Sequence, residues 1–318
     1  MSTSPLRRLR AAAIIPGCLA LALAAFGCSA QDPDQGSSQQ SAAASSASSA
    51  IPKQKQDKAL RALLPNKIKS SGELVSVNSG SFPPYVIVGS DKKTTGASSD
   101  LLTALGQLWG VKISESTVDG LPSELSGITS GRYQMAFGPI GDFKERQAGN
   151  DFIDYVQEFV VFAVPKGNPK HIDGLDTTCG TKIAVQAGGS AEKVIKDQAK
   201  KCTADGKSKL TVMSFKDQPS SILAVQSGRA DAFFSSQAPL TYFVQESGGK
   251  LQLTGTGKQN GFDQLFQGAV VKKDSAYGPL LQKALQKLFD NGTYATIMKK
   301  WGLEDNMIDK PGKNLAVS

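Results

Sequence analysis

Residues 182–201, KIAVQAGGSAEKVIKDQAKK, give the clearest indication of the fold class. Its first five residues contain the apolar run Ile183-Ala184-Val185, which is typical of a buried strand. The paired glycines at 188 and 189 predict a tight turn, and Ser190 begins a charged segment typical of a helix that runs to about Lys201. Strand, glycine turn and helix in this order form a unit of α/β proteins.

Similar units lie on both sides of this stretch. Upstream, strand-like and helix-like segments alternate at 73–77, 101–109, 111–113, 122–130, 133–137 and 158–164. Downstream, they alternate at 210–215, 220–227, 230–234, 239–245, 268–272, 280–289 and in a terminal helix through Trp301. The pattern restarts near residue 180. The sequence therefore predicts two α/β lobes with largely parallel sheets.

The N-terminus has the features of an export signal. Arg7, Arg8 and Arg10 precede an apolar run over residues 11–27 that is too short to be a spanning helix. The Ala-Phe-Gly-Cys sequence ending at Cys28 resembles the lipobox of bacterial lipoproteins, in which the cysteine is diacylated. We expect residues 1–27 to be a signal peptide and Cys28 to anchor the chain, through palmitate-like acyl chains, to the outer face of the cytoplasmic membrane. Simple secretion, with Cys28 idle, is the alternative.

Residues 28–57 are rich in Ser, Ala and Gln and offer little apolar surface to bury. We expect a flexible tether there, with the folded part beginning near Lys58.

Two further cysteines, Cys179 and Cys202, flank the strand–helix unit quoted above. An even pair in an exported protein is most simply a disulfide. A bridge closing a loop of that length would stabilise the fold by about 3 kcal/mol in the chain-entropy model. A metal site is the weaker alternative, because neither a Cys-x-x-Cys motif nor a nearby histidine completes it.

Composition excludes several classes of function. The 318 residues include 36 Lys and Arg, 28 Asp and Glu, and a single histidine, His171. One histidine leaves little room for His-based catalysis or for His-rich metal sites. No basic run with interleaved aromatic residues points to nucleic acid. We expect no metal, no cofactor and no nucleic-acid partner.

Six motifs, in order, resemble those of the family 3 extracellular solute-binding proteins, the polar amino-acid receptors of ABC importers. They are FPPY at 82–85, GASSDL at 96–101, SGRY at 130–133 with KER at 144–146, the strand and turn at 182–192, SGRADA at 227–232, and NGTY with KWG between 291 and 302. No single motif is specific, but their common order and spacing are. The resemblance covers about residues 60–310.

The resemblance implies a two-lobed α/β fold of the periplasmic-binding-protein type (type II), with lobes joined by two hinge strands around a cleft. The first lobe would comprise residues 58–164 and 268–318, and the second residues 165–267. It further implies a monomeric, non-enzymatic protein that captures a small, amino-acid-like carboxylate by closure of the lobes. ABC permease subunits in the membrane would be its partners.

Ligand-binding residues follow from the same resemblance. Arg146 would grip the ligand's carboxylate with its planar fork of donors, and the helix start at Gly189 and Ser190 would hold it from the second lobe. A solvated arginine and an ordinary helix cap are the alternatives. The remaining candidates are wall or loop residues of the cleft: Phe82, Tyr85, Leu121, Gly141 and Ser236. For the two aromatic residues, plain loop packing is the alternative.

One departure from the family's pattern concerns the ligand's ammonium group. The family usually supplies an acid after the SGRADA element, whereas this chain has Ser235, Ser236 and Gln237 there. Either another acid, such as Asp119 or Asp217, provides the counter-charge, or the ligand is not an ordinary α-amino acid. An oligopeptide, an opine, an amide or a simple carboxylate would then fit.

Two other functions use the same fold. A ligand sensor would resemble a transport receptor at this level of description. A cyclohexadienyl-dehydratase-like enzyme needs a general acid or base in the cleft, and the sequence around Ser235 and Ser236 offers none.

Overall fold

The computed structural model of the protein describes residues 51–316. The α-helices are α1 Lys58–Ala62, α2 Asn66–Ser71, α3 Ala97–Trp109, α4 Gly120–Thr129, α5 Ser190–Ala204, α6 Gln218–Gln226, α7 Gln237–Glu246, α8 Tyr277–Asp290 and α9 Thr293–Lys300. The strands are β1 Glu73–Asn78, β2 Ile87–Val88, β3 Thr94–Thr95, β4 Lys112–Thr117, β5 Met135–Gly141, β6 Asn150–Glu158, β7 Val160–Pro165, β8 Lys182–Gln186, β9 Thr211–Phe215, β10 Ala232–Ser236, β11 Leu251–Thr254, β12 Leu265–Lys272 and β13 Met307–Lys313. Short 3₁₀ helices lie at Arg146–Ala148, Leu175–Thr177 and Glu304–Asn306.

The first lobe is built on a six-stranded sheet of order β13-β6-β12-β5-β1-β4. Helices α3, α8 and α9 pack against it through apolar faces that meet in one core. The leucines of α8 at positions 280, 281, 285 and 288 are all buried, as their helical spacing predicts. Trp109, Tyr85, Tyr155 and Tyr294 are the largest fully buried side chains of this core.

The second lobe is built on a five-stranded sheet of order β11-β7-β10-β8-β9. Its core contains Phe162 on β7 and Phe234 on β10, whose ring centroids are 4.5 Å apart. The strand–turn–helix unit quoted from the sequence forms β8 and α5 at the predicted positions.

The prediction of largely parallel sheets is wrong. In the first lobe β1 pairs in parallel with β4 and β5, but β12 and β13 pair antiparallel with β6. In the second lobe β7 runs antiparallel to both β10 and β11. The strands that carry the chain from one lobe to the other run antiparallel to the strands beside them. The alternation of strands and helices in a sequence does not reveal the direction of a strand.

The strand pairing also moves the predicted lobe boundaries. A single residue, Phe159, separates β6 of the first sheet from β7 of the second, so the chain crosses there and not after residue 164. The return is complete by Leu265, where β12 begins, and not at residue 268. The run over 158–164 is continuously apolar after its first residue, which hides the change of sheet.

The chain is already packed before residue 58. The Gln54 main-chain N–H donates to Oε1 of Gln107 at 2.7 Å, and Asn291 Nδ2 donates to Gln54 Oε1 at 2.8 Å. Asp57 caps α1 by accepting from the main chain of Ala59. The prediction of a flexible tether is therefore wrong for residues 51–57. Residues 1–27, Cys28 and most of the tether lie outside the described residues.

The predicted disulfide is confirmed. Cys179 and Cys202 are bonded, with their Cα atoms 5.6 Å apart, and the bridge ties α5 to the loop before β8.

Within residues 51–316 no helix is both long enough and apolar enough to cross a bilayer.

Candidate functional site

A cavity of about 70 Å³ lies between the two lobes. It is bordered by the carboxyl ends of β1 and β5 on the first sheet and of β8 and β10 on the second. Loops beyond the carboxyl ends of parallel strands are the usual ligand sites of α/β sheets. Topology therefore brings four strand ends, distant in sequence, to one site.

The cavity is small because the lobes touch around it. A Cβ atom on Gly188 in the second lobe would lie 2.9 Å from Cγ of Pro122 in the first. Asp119 and Lys216 also face each other across the lobes, with carboxylate and ammonium 3.8 Å apart. The structure is thus a closed conformation.

Arg146 lies in the 3₁₀ turn after β5 and bridges the lobes. Its Nη1 donates to the Gly141 carbonyl at 2.7 Å, and its Nη2 donates to the Gly188 carbonyl at 2.6 Å. The guanidinium also lies over the Phe143 ring, 5.1 Å from the centroid. A guanidinium has five N–H donors, so further donors remain for a ligand. Burial lowers the pKa of Arg146 to about 10, so the side chain is charged at neutral pH.

Gly189 and Ser190 form the start of α5 opposite Arg146. Gly189 is the N-cap in an extended conformation, and Ser190 is the first residue of this 15-residue helix. The alternative that Ser190 is the helix cap is therefore wrong by one residue. The Gly188 main-chain N–H donates to Glu192 Oε2 at 2.8 Å. Gly189, Ser190 and Ala191, at the start of the helix where main-chain N–H groups have no partner within the helix, line the cavity.

Gly141 separates the two groups that the sequence assigned to a carboxylate. A Cβ atom there would be 3.4 Å from Arg146 Nη1 and 3.4 Å from Ser190 Oγ. The absence of a side chain at Gly141 therefore keeps open the space where the arginine and the start of α5 meet.

Three other predicted residues, Phe82, Leu121 and Ser236, also lie at this cavity. Phe82 and Leu121 contribute apolar walls from the first lobe. Ser236 ends β10, and its hydroxyl accepts a hydrogen bond of 3.2 Å from Gln267 Nε2. Neighbouring Ser235 donates to Gln218 Oε1 at 3.0 Å. The second lobe thus offers neutral polar groups here.

Tyr85 does not line the cavity. Its side chain is fully buried, with 0% exposure, and its hydroxyl donates to Glu158 Oε1 at 2.7 Å. Its ring lies near that of Phe82, with centroids 5.9 Å apart, so it supports the wall from behind. Assigning it to the ligand wall is wrong because the chain turns between Phe82 and Val86, whose main chains pair with each other.

Neither acid suggested from the sequence as a counter-charge faces the cavity. The Asp119 side chain is 87% exposed, and Asp217 caps α6 by accepting from the Ser220 main chain at 2.8 Å.

Glu124 on α4 is the acid that sequence reasoning missed. It lines the cavity, its exposure is 1%, and its Oε2 has no hydrogen-bond partner within the described residues. Burial raises the pKa of Glu124 to about 8, although the Ser79 hydroxyl and the Arg146 guanidinium act in the opposite direction. Leu121 and Ile128, at helical spacing from Glu124, are also buried. An acid on the apolar face of a predicted helix was the sequence feature that could have identified Glu124.

Two further lining residues have buried polar atoms without partners in this part of the chain. Asn78 leaves Nδ2, a donor, unpaired, and Gln267 leaves Oε1, an acceptor, unpaired. Buried polar groups in proteins are normally hydrogen-bonded, so such atoms gathered at one cavity indicate a place for a polar ligand.

In residues 51–316 no group of three or more His, Cys, Asp or Glu side chains is arranged to hold a metal ion.

Comparison with known proteins agrees with this architecture. The chain is 26% identical over 255 residues to the arginine-binding protein ArgT of Corynebacterium glutamicum, covering 79% of this chain and 81% of that protein. The structure of the amino-acid ABC transporter substrate-binding protein AbpA from Streptococcus pneumoniae, bound to L-arginine, matches with a TM-score of 0.66 at 22% identity, covering 76% of this chain and 99% of that one.

A third likeness is to the ancestral amino-acid-binding protein AncCDT-1, a precursor of cyclohexadienyl dehydratase. Its TM-score is 0.62 at 19% identity, covering 74% of this chain and 97% of that one. At such identities the two solved structures establish the fold alone, which is the predicted two-lobed one.

The family assignment comes from a match over most of the chain. Residues 74–304 fit the profile of bacterial extracellular solute-binding proteins, family 3. This range contains the motifs quoted from the sequence between strand β1 and the terminal helix. The chain belongs to family 3 of the bacterial extracellular solute-binding proteins.

Proposed function

We propose that this protein captures a free amino acid in the cleft between its lobes and presents it to the permease of an ABC importer. The observation that supports this most strongly is the pairing of Arg146 from the first lobe with the start of α5 from the second, on opposite sides of one polar cavity. The similarity of the chain to ArgT supports an amino acid as the ligand.

Closure of the lobes is the proposed mechanism. The amino acid would contact both lobes together only in the closed form, so binding would shift the population toward that form by its differential affinity. Arg146 would have two roles in closure. It contacts Gly188 across the cleft, and it would also bind the ligand's carboxylate. Phe82, Leu121, Gly141, Gly189, Ser190 and Ser236 would complete the binding surface.

A thermal-shift screen of the full chain in detergent against the twenty common L-amino acids tests this proposal. A ligand at 100 times its dissociation constant stabilises the folded state by about 2.7 kcal/mol, which raises the melting temperature measurably. We expect at least one amino acid to do so. A screen in which none of them shifts the melting temperature would contradict the proposal.

We propose that the protein binds without catalysing a reaction. No acid lies around Ser235 and Ser236, but Glu124 places a carboxyl group at the cavity, so the enzyme alternative needs its own test. Prephenate incubated with the protein should stay unchanged by absorbance, and its conversion to an aromatic product would contradict the proposal.

We also propose that the mature protein is a monomer held at the membrane by acyl chains on Cys28. The lipobox-like sequence before Cys28 supports the anchor. Wild-type protein should incorporate labelled palmitate and sediment with membranes, whereas Cys28→Ser should do neither. Equal labelling of both proteins would rule out this anchor.

A further inference from the structure

The charges that line the cavity form a simple pattern. Within the described residues, two lining side chains are ionisable, the guanidinium of Arg146 and the carboxyl group of Glu124. Both belong to the first lobe, whereas the second lobe contributes neutral groups such as Ser190, Gln218 and Ser236.

Glu124 and Arg146 do not form an ion pair with each other. Among the ion pairs of residues 51–316, none joins these two side chains within 4.0 Å. Arg146 donates instead to two main-chain carbonyls, and Glu124 Oε2 has no hydrogen-bond partner within the same residues. A buried carboxyl oxygen without a partner is unfavourable, and its position at the cavity leaves it available to a donor that enters from outside.

A second acceptor faces the same space. Gln267 uses its Nε2 to contact Ser236 and leaves Oε1 unpaired. A cationic nitrogen of a ligand has several N–H donors, so it satisfies a carboxylate and an amide oxygen together. Asn78 Nδ2, the unpaired donor, suits an oxygen of the same ligand.

Resting on the proposed function, we infer that Glu124 binds the ligand's cationic nitrogen from the first lobe, assisted by Gln267. Glu124 would take the place of the acid that the family usually supplies near the end of β10, where this chain has Ser235 and Ser236. The ligand class is then a zwitterion, with its carboxylate on Arg146 and its cationic nitrogen on Glu124. Burial raises the pKa of Glu124 to about 8, and a cationic nitrogen beside the carboxyl group would favour its ionised form.

The test compares Glu124→Gln with the wild type, using as the probe whichever common L-amino acid stabilises the wild-type chain most. Glutamine keeps the shape and removes the charge, so we expect the dissociation constant to rise by about 10- to 100-fold. Glu115→Gln is the matched control, because Glu115 is a half-buried acid of the same lobe that does not line the cavity. It should bind the probe as the wild type does.

Analogues of the probe locate the cationic nitrogen. The des-amino carboxylate should bind the wild type and Glu124→Gln with equal, weak affinity if Glu124 contacts the α-ammonium. If Glu124 contacts a cation on the ligand's side chain instead, the analogue with a neutral side chain should bind the wild type and Glu124→Gln with equal, weak affinity. In either case Glu124 holds a cation, and the analogue identifies which one.

The outcomes separate this inference from the proposed function. Tight probe binding by the wild type and by Glu124→Gln alike would overturn the role of Glu124 and leave amino-acid capture intact. No binding of any amino acid by the wild type would overturn both. Glu124→Asp provides a second variant if Glu124→Gln fails to fold, and it should bind the probe more weakly than the wild type.

Discussion

Arg146 is held in place by groups that do not cancel its charge. Its partners at Gly141 and Gly188 are neutral carbonyls, at 2.7 and 2.6 Å, so the guanidinium is oriented and still positive. A site organised in this way loses little entropy when a carboxylate arrives. The sequence predicted Arg146 as a ligand residue, but its contact with Gly188, 42 positions away, depends on tertiary structure.

Replacing Arg146 with Ala should weaken amino-acid binding by about 10- to 100-fold, because a charge-assisted, potentially bidentate contact is lost. Arg146→Lys should recover only part of the affinity, since an ammonium lacks the planar fork. Isothermal titration with the amino acid chosen by the thermal screen measures both variants. Arg132→Lys, an exposed arginine of the same lobe, is the control. Unchanged affinity in Arg146→Ala would remove this residue from the site.

Gly141→Ala should weaken binding by about 10-fold. The new Cβ would approach Phe143 Cε2 at 2.7 Å and Arg146 Nη1 and Ser190 Oγ at 3.4 Å each, so the ring must shift and the space between the two polar groups narrows. The same titration checks this. Gly278→Ala is a matched control, because its Cβ would meet Val271 at an ordinary 3.6 Å. Full affinity in Gly141→Ala would show that the ligand does not use this space.

The cavity was only partly predictable residue by residue. The family resemblance placed Arg146, Gly141 and Ser190 at the cleft, and in the structure all three line one cavity. Glu124 was overlooked because an acid on a helix is usually solvated, and only its packing buries it.

Among the elements, β8 and α5 agree best between sequence and structure. A buried strand, two glycines and a charged helix leave few alternatives, and the disulfide from Cys179 to Cys202 fixes the helix against the loop before the strand.

Removing this bridge with Cys179→Ser and Cys202→Ser together should lower the free energy of unfolding by about 3 kcal/mol, because the unfolded chain regains the entropy of a 23-residue separation. Denaturant titration followed by circular dichroism measures it. Wild-type protein unfolded in the presence of a reductant should give a similar loss. A double variant as stable as the oxidised wild type would contradict this account.

Two elements could not be predicted for identifiable reasons. The change from β6 to β7 occurs within a continuous apolar run, where hydrophobicity gives no sign of a new sheet. The strand β13, Met307–Lys313, contains a proline and two lysines and has no alternating pattern. It forms at the sheet edge because β6 offers it a partner.

For the whole molecule, the sequence predicted two lobes but not their closed arrangement. The closed arrangement includes contacts such as Asp119 with Lys216 and Arg146 with Gly188, whose members are far apart along the chain. Such pairings cannot be derived from periodicity or local motifs.

Three buried acids give the whole molecule an unusual pH dependence. Burial raises the pKa of Glu124 and Asp154 to about 8 and that of Glu158 to about 7, with the neighbouring Asp142 adding to the effect at Asp154. In the unfolded chain these groups ionise near pH 4. Between about pH 4 and 8 the folded state therefore binds more protons than the unfolded one, and stability falls as the pH rises.

Without ligand, the free energy of unfolding should thus be higher at pH 6 than at pH 8, by up to about 1.4 kcal/mol per pH unit for each group. The chain has one histidine, so few other side chains titrate in this window. Denaturant titrations at the two pH values measure the difference, and Asp154→Asn should reduce it. Equal stability, or greater stability at pH 8, would contradict this.

The central claim is that one amino acid lies between the lobes, with its carboxylate on Arg146 and its cationic nitrogen on Glu124. A crystal structure of the complex with the amino acid that gives the largest thermal shift tests it most directly. We predict carboxylate oxygens within about 3 Å of the Arg146 guanidinium and a ligand nitrogen at similar distance from Glu124 Oε2. A ligand bound outside the cleft, or one whose carboxylate lies away from Arg146, would contradict the account.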